Sequence, residues 1–284
     1  MSVATEVLDA AVQGPVTAAG PVDAGGARRF RRVVASEWIK FRSLRSSRLA
    51  LLAVVIGVVG IAALAAGTTA ARWSTMAPKD RADLDPTGLS LNGWFLGQLV
   101  VGVLGVLTVT SEYGSRMIRT TFAAVPQRRL VLAAKAVVVG VIVLVVGMAT
   151  SLIAFGVAQA FLASTGHAVS LSDPGELRAV LGAGLYAATI AMLGLGVGTI
   201  VRSTAGSVSA LFGLLFVPPI LAELFPGGWH RAIQRYSPMN AGSRVLMTQS
   251  QANALGPWAG LAVLMAYTAV IGIIAFWLVA RRDA

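Results

Sequence analysis

Long apolar runs alternate along this chain with short polar connections. Six runs stand out: Leu49–Ala71, Trp94–Thr110, Leu130–Ala163, Leu177–Val201, Ser207–Leu224 and Pro257–Ala280. Each is near or above the roughly 20 residues that carry a helix across ~30 Å of hydrocarbon. Lipid offers the backbone no hydrogen-bond partner, so runs of this kind fold as helices. The pattern predicts an all-α membrane protein with a six-helix transmembrane domain over residues 28–284. Residues 1–27 are rich in Ala, Val and Gly, contain Pro15 and Pro21, and lack helical periodicity, which predicts a disordered tail. No positive stretch precedes an apolar core there, so the tail does not read as a signal peptide, and the first span is expected to serve as an uncleaved targeting signal.

Composition agrees with this reading. Hydrophobic residues make up 56% and charged residues 12% of the chain, where a soluble domain carries about 25% charged residues. The mean hydropathy is +0.76. There is no cysteine, hence no disulfide and no thiolate nucleophile or ligand. A net charge of +11 would suit nucleic acid, but the basic residues gather at helix ends, where they meet headgroups and set topology. No soluble domain is left over to bind nucleic acid.

The basic residues also orient the spans. Sixteen lie before the first span, between the second and third, between the fourth and fifth, and after the sixth. Six lie on the other side: Arg72, Lys79, Arg81, Arg231, Arg235 and Arg244, with Arg178 ambiguous at a helix start. Lysine and arginine stay cytoplasmic, so both termini are expected on the cytoplasmic side. Of the outer connections, 72–92 carries Asp80, Asp83, Asp85, Pro78 and Pro86 and reads as a solvated loop. Residues 225–256 are longer. A short helix from Trp229 to Tyr236, ended by Pro238, and a second from Ala241 to Gln251 would make a cap at headgroup level; a plain loop with one helical turn is the alternative.

Enzymatic motifs are missing. The two histidines, His167 and His230, fall in outer loops, and neither H-E-x-x-H nor G-x-S-x-G occurs. The three lysines, Lys40, Lys79 and Lys135, follow no G-x-x-x-x-G, so no P-loop is present. Ionisable residues deep in the bundle, expected of an ion-coupled carrier, are scarce; Glu112 and Glu223 sit at helix ends. Gln98, Gln159 and Tyr186 are the larger polar groups within the spans. Each reads as an interhelical hydrogen bond or as a substrate contact, with Gln98 the first candidate for the latter. G-x-x-x-G pairs at Gly93/Gly97 and Gly194/Gly198 indicate close helix approach, either within a tight bundle or between two copies.

Two cytoplasmic segments carry more pattern than an anchor needs. In Arg31–Arg48, Val34, Trp38 and Phe41 recur at helical spacing, so one side can lie in the interface while Lys40 and Arg42 face headgroups or water. In Ser111–Arg129, Ile118, Phe122 and Val125 share one face, Arg116 and Arg119 lie elsewhere, and Pro126 ends the run. This segment reads as a helix parallel to the membrane, open to a soluble partner; ordinary positive-inside anchoring is the plainer reading of both.

SEWIKFRSLRSSR before the first span and EYGSRMIRTTFAAVPQRRLVLAAKA across the second cytoplasmic loop resemble the permease subunits of type-2 (export) ABC transporters in their actinobacterial form. The stretches LGLGVGTIVRSTAGSVSALFGLLFVPPIL and PWAGLAVLMAYTAVIGIIAFWLVARRDA are similar to the same subunits. The resemblance spans about residues 30–284. It implies a homo- or heterodimer of permeases in the lipid bilayer, each associated with a separate ABC ATPase that binds the ATP and Mg; this chain would hold no cofactor, bind no metal and catalyse nothing. It further implies a coupling helix at Glu112–Pro126, with Glu112, Tyr113, Arg116, Ile118, Arg119 and Phe122 meeting the ATPase. An interfacial helix at Val33–Arg45, with Glu37, Trp38, Lys40 and Phe41, would approach the same partner. Alternating access would export a cargo that the apolar spans favour as hydrophobic or amphipathic. The rival readings are a secondary carrier without an ATPase, an intramembrane enzyme, and a membrane anchor or sensor.

Overall fold

A computed structural model describes residues 26–115, 117, 127–249 and 254–281. Among these, regular structure is helical throughout. α1 (Gly26–Ser43) precedes the first span, α2 (Arg45–Arg72). Two short helices, α3 (Pro78–Ala82) and α4 (Pro86–Leu91), lead into α5 (Trp94–Gly114). Then come α6 (Arg128–Leu162), α7 (Glu176–Val201) and α8 (Thr204–Ala222). The cap helices α9 (Gly227–Tyr236) and α10 (Pro238–Ser243) precede α11 (Pro257–Arg281). Among the described residues, six helices are long and apolar enough to span a bilayer, as the hydrophobic runs predict.

α7 is the most buried span and the centre of the bundle, packed against α5, α6, α8 and α11. Most of its residues are buried, as expected of a helix walled in by other helices. Trp94, Tyr186, Ile190, Leu193, Leu211 and Leu264 are fully buried. The outer spans instead present Leu52, Ile56, Leu64, Met265, Ile273 and Trp277, a surface made for lipid.

The glycine pairs serve packing inside one chain. A Cβ at Gly93 would lie 2.6 Å from the Val58 carbonyl of α2, and one at Gly194 would strike the Gly102 carbonyl of α5. Across the same α5–α7 contact, a Cβ at Gly105 would collide with the Ala191 carbonyl oxygen. Backbone cannot yield as a side-chain tip does, so overpacking here costs about 1–3 kcal/mol or more. Gly105→Val should therefore lower the thermal unfolding midpoint in detergent markedly, whereas Gly213→Val, where a Cβ meets nothing within 4 Å, should leave it near wild type. Equal midpoints for the two would refute the close-contact account.

Three connections depart from the sequence reading. The segment read as a solvated loop, 72–92, tucks α4 into the bundle against α2 and α6, burying Thr87, Ser90 and Leu91. Asp85 caps it by accepting the backbone N–H groups of Thr87 and Gly88 at 3.1 and 2.9 Å, and Pro86 takes the first helical position, where its missing N–H costs nothing. In the cap, Pro238 opens α10 instead of ending α9, for the same reason; Ser237 is the extended residue between them. The second cap helix ends at Ser243 and continues as a 3-10 turn to Leu246, short of the predicted Gln251, which lies outside the described residues. Finally, α1 begins at Gly26, inside the stretch read as tail; residues 1–25 lie outside the described residues. Arg178 finds its place too. Its guanidinium donates to the carbonyls of Val245 and Met247 at 3.1 and 3.0 Å, which fixes it at the cap end of the bundle.

Candidate functional site: a buried ion-pair network where α1, α5 and α6 meet

α1 turns inward the face formed by Val33, Glu37 and Phe41, spaced four residues apart. One member of this segment departs from the expected placement. Lys40, expected to face headgroups or water, points into the protein, while Trp38 stays exposed on the outer side of the helix. A carboxylate on the buried side of an amphipathic helix requires a counter-charge, and α6 supplies one. Lys135 sits seven residues into that helix, roughly 10 Å from its start, with its side chain 3% exposed. Its Nζ donates to Glu37 Oε2 at 2.7 Å and to Glu112 Oε1, in the last turn of α5, at 2.6 Å. Lys40 Nζ closes the ring, donating to the same Glu112 oxygen at 2.6 Å and to Glu37 Oε1 at 3.2 Å.

Two carboxylates and two ammonium groups thus cancel in a closed set drawn from three helices. Charge-assisted bonds of this length are the strong kind. Burial lowers the Lys40 pKa, but the hydrogen bond and charge of Glu112, followed by those of Glu37, outweigh it and hold the group above the usual lysine value. A pKa raised on folding contributes stability fully present below the unfolded value and lost as pH rises through the folded one, so Lys40 keeps its contribution through neutral pH. Glu112 Oε2 is buried and accepts no hydrogen bond among the described residues.

Neighbouring contacts extend this junction. Tyr113 stacks under the Arg202 guanidinium, 5.1 Å from its ring centroid. Arg202 forms the sharp corner between α7 and α8 in the left-handed region, φ 60°. Ser203 then caps α8, and Thr204 Oγ1 donates to Thr110 Oγ1 of α5 at 3.0 Å. Glu37, Lys40, Glu112 and Tyr113 are therefore brought together, and Phe41 packs beside them in the core. Arg116, Ile118, Arg119 and Phe122 lie outside the described residues, in the connection from α5 to α6. Sequence reading missed Lys135 as a partner. The available signal was a lysine inside an apolar run together with a glutamate at the centre of the Val33–Phe41 stripe.

At the other end of the bundle the polar residues pair between helices. Tyr186 donates to Gln98 Oε1, while Gln98 Nε2 donates to the Phe95 carbonyl at 3.0 Å. Trp94 Nε1 donates to Ser151 Oγ at 2.9 Å, and Gln159 Nε2 to Ser90 Oγ at 3.2 Å. Gln98 and Tyr186 also border a cavity of 310 Å³ under the cap, shared with Asn92, Met239 and Asn240. The interhelical reading of Gln98 is the one its hydrogen bonds support.

The model of the ABC-2 family transporter protein matches residues 33–218, from the buried face of α1 to the last turns of α8. The chain belongs to the ABC-2 transporter family. It is a multi-pass membrane permease, and the family's matched region contains all four members of the ion-pair network. Such a permease is the membrane component of transport and is not itself catalytic. Among curated proteins, none matches.

Proposed function

We propose that this chain is half of the membrane domain of an ATP-driven exporter in a bacterial plasma membrane, with both termini cytoplasmic. A second permease subunit completes the pathway, and a separate ABC ATPase supplies the ATP and Mg chemistry. The observation that carries the reading is the ion-pair network. It binds the amphipathic α1 to the ends of α5 and α6, the two helices that flank residues 116–126. A push on that connection from a soluble partner would reach α1, α5 and α6 as one piece. The cap-end cavity beside Gln98 and Tyr186 is a candidate portion of the cargo route on the far side.

Reconstitution tests the division of labour. The purified chain alone should bind and hydrolyse no ATP, since it has no P-loop. With its cognate cassette protein it should show membrane-bound ATPase activity and ATP-dependent export of an amphipathic cargo. Hydrolysis by the chain alone, or export that persists without the ATPase and collapses with an ion gradient, would overturn the reading in favour of an enzyme or a secondary carrier.

A further inference from the structure

The cap borders a second, partly open cavity that the transport reading does not use. It measures 440 Å³, within the range of roughly 300–1,000 Å³ typical of small-molecule sites. Arg231 and Arg235 of α9, one turn apart, line it together with Arg244, His230, Asn240 and Ser243. No aspartate or glutamate is among its lining residues. Glu223, just past α8, accepts the amide of the lining residue Gln234 at 2.8 Å. Arg244 is a buried residue whose Nη1 donates to the Met247 thioether at 3.0 Å and whose Nη2 reaches the Gln249 carbonyl at 3.5 Å.

The surroundings indicate where this basic cavity lies. Leu224, Phe225, Trp229 and Tyr236, on or beside α9, are exposed. Exposed Trp and Tyr beside basic residues mark the headgroup level of a bilayer. Guanidinium groups favour phosphate because their planar forks bond two oxygens at once, and basic pockets at membrane helix ends hold anionic headgroups by this chemistry.

We propose that the cap cavity formed by Arg231, Arg235 and Arg244 is a binding site for a phosphate-bearing anion, with a phospholipid headgroup as the expected source. The site lies at the opposite end of the bundle from the Glu37–Lys135 network.

The test uses the full chain in uncharged detergent. Dihexanoyl phosphatidylglycerol, a micelle-compatible short-chain lipid, is titrated by calorimetry, with inorganic phosphate in a parallel arm. The lipid should bind saturably, and Arg231→Gln/Arg235→Gln should weaken it at least tenfold. Both arginines are exposed, so this variant should keep the wild-type melting profile. Arg231→Lys/Arg235→Lys should recover only part of the affinity, because charge returns without the fork. Phosphatidylglycerol binding that inorganic phosphate does not displace identifies the lipid as the source. Displacement by millimolar phosphate identifies a soluble phosphate instead, at the same site. Saturable binding that is unchanged in the Gln variant, or no saturable binding in either arm, would overturn the proposal. Neither readout depends on ATPase partnership or export, so the result stands apart from the transport reading.

Discussion

A Lys135→Met chain is expected to insert its six spans yet lose about 3–5 kcal/mol of bundle stability, the cost of removing one partner from a buried ion pair. Methionine keeps much of the aliphatic stem, so packing around Ala134 and Ala136 changes little. What disappears is the ammonium that Glu37 and Glu112 share at 2.7 and 2.6 Å. Two nearly inaccessible carboxylates are then left with Lys40 alone. A double variant, Glu37→Gln/Lys135→Met, removes one charge of each sign and leaves Glu112 with Lys40. It should be more stable than Lys135→Met by at least ~1 kcal/mol, the non-additivity expected of residues in one network. Unfolding of the purified proteins in detergent across this cycle measures both quantities. A Lys135→Met protein that melts with wild type at pH 7.5 would show that the network contributes nothing to holding the three helices together.

Arg119→Glu is expected to do the reverse, sparing the fold and abolishing transport. The sequence places Arg116 and Arg119 away from the stripe formed by Ile118, Phe122 and Val125, and the proposal assigns this segment to contact with the ATPase. Loss of a charged partner or aromatic anchor from such an interface costs roughly 2–4 kcal/mol, or about 30- to 1,000-fold in affinity. Insertion, yield and melting should match wild type, because one charge among the many on that side does not set orientation. Capture of the ATPase and export at matched expression should both fail, and Phe122→Ala should behave likewise. Normal capture and export in both variants would leave the segment as a plain anchor.

The spans were legible because lipid imposes a simple rule, that apolar length predicts a crossing. All six runs became helices, with ends shifted by a few residues where polar first turns, such as Arg45–Arg48 ahead of Leu49, continue the helix beyond the hydrophobic stretch. The connections were less legible. Residues 72–92 carry three aspartates and two prolines, a composition that reads as solvated, yet Asp85 spends its carboxylate on capping α4 and on Thr248 at 3.2 Å. Local composition does not reveal that a distant segment will accept a short helix. The same limit applied at the junction. Glu37, Lys40 and Glu112 were each recognisable as members of promising segments, but their pairing through Lys135 joins residues 98 and 23 positions apart. Helical spacing carries information over four residues, not over ninety. Arg202 was read only as an inside charge, whereas its positive φ and its position over Tyr113 make it a corner.

α6 has 35 residues, which at 1.5 Å each give a shaft of roughly 52 Å, ~20 Å more than the hydrocarbon it crosses. Each end is fastened to a different part of the molecule: Gln159 to Ser90 at one, Lys135 to Glu37 and Glu112 at the other. A rod held at two separated points would transmit a tilt from one end to the other. A rocking of about 5° about its midpoint moves each tip by about 2 Å, with the two tips going in opposite directions. That is comparable to the reach of a hydrogen bond, so a swing of the end that carries Lys135 would strain the Gln159–Ser90 contact about 36 Å further along the helix.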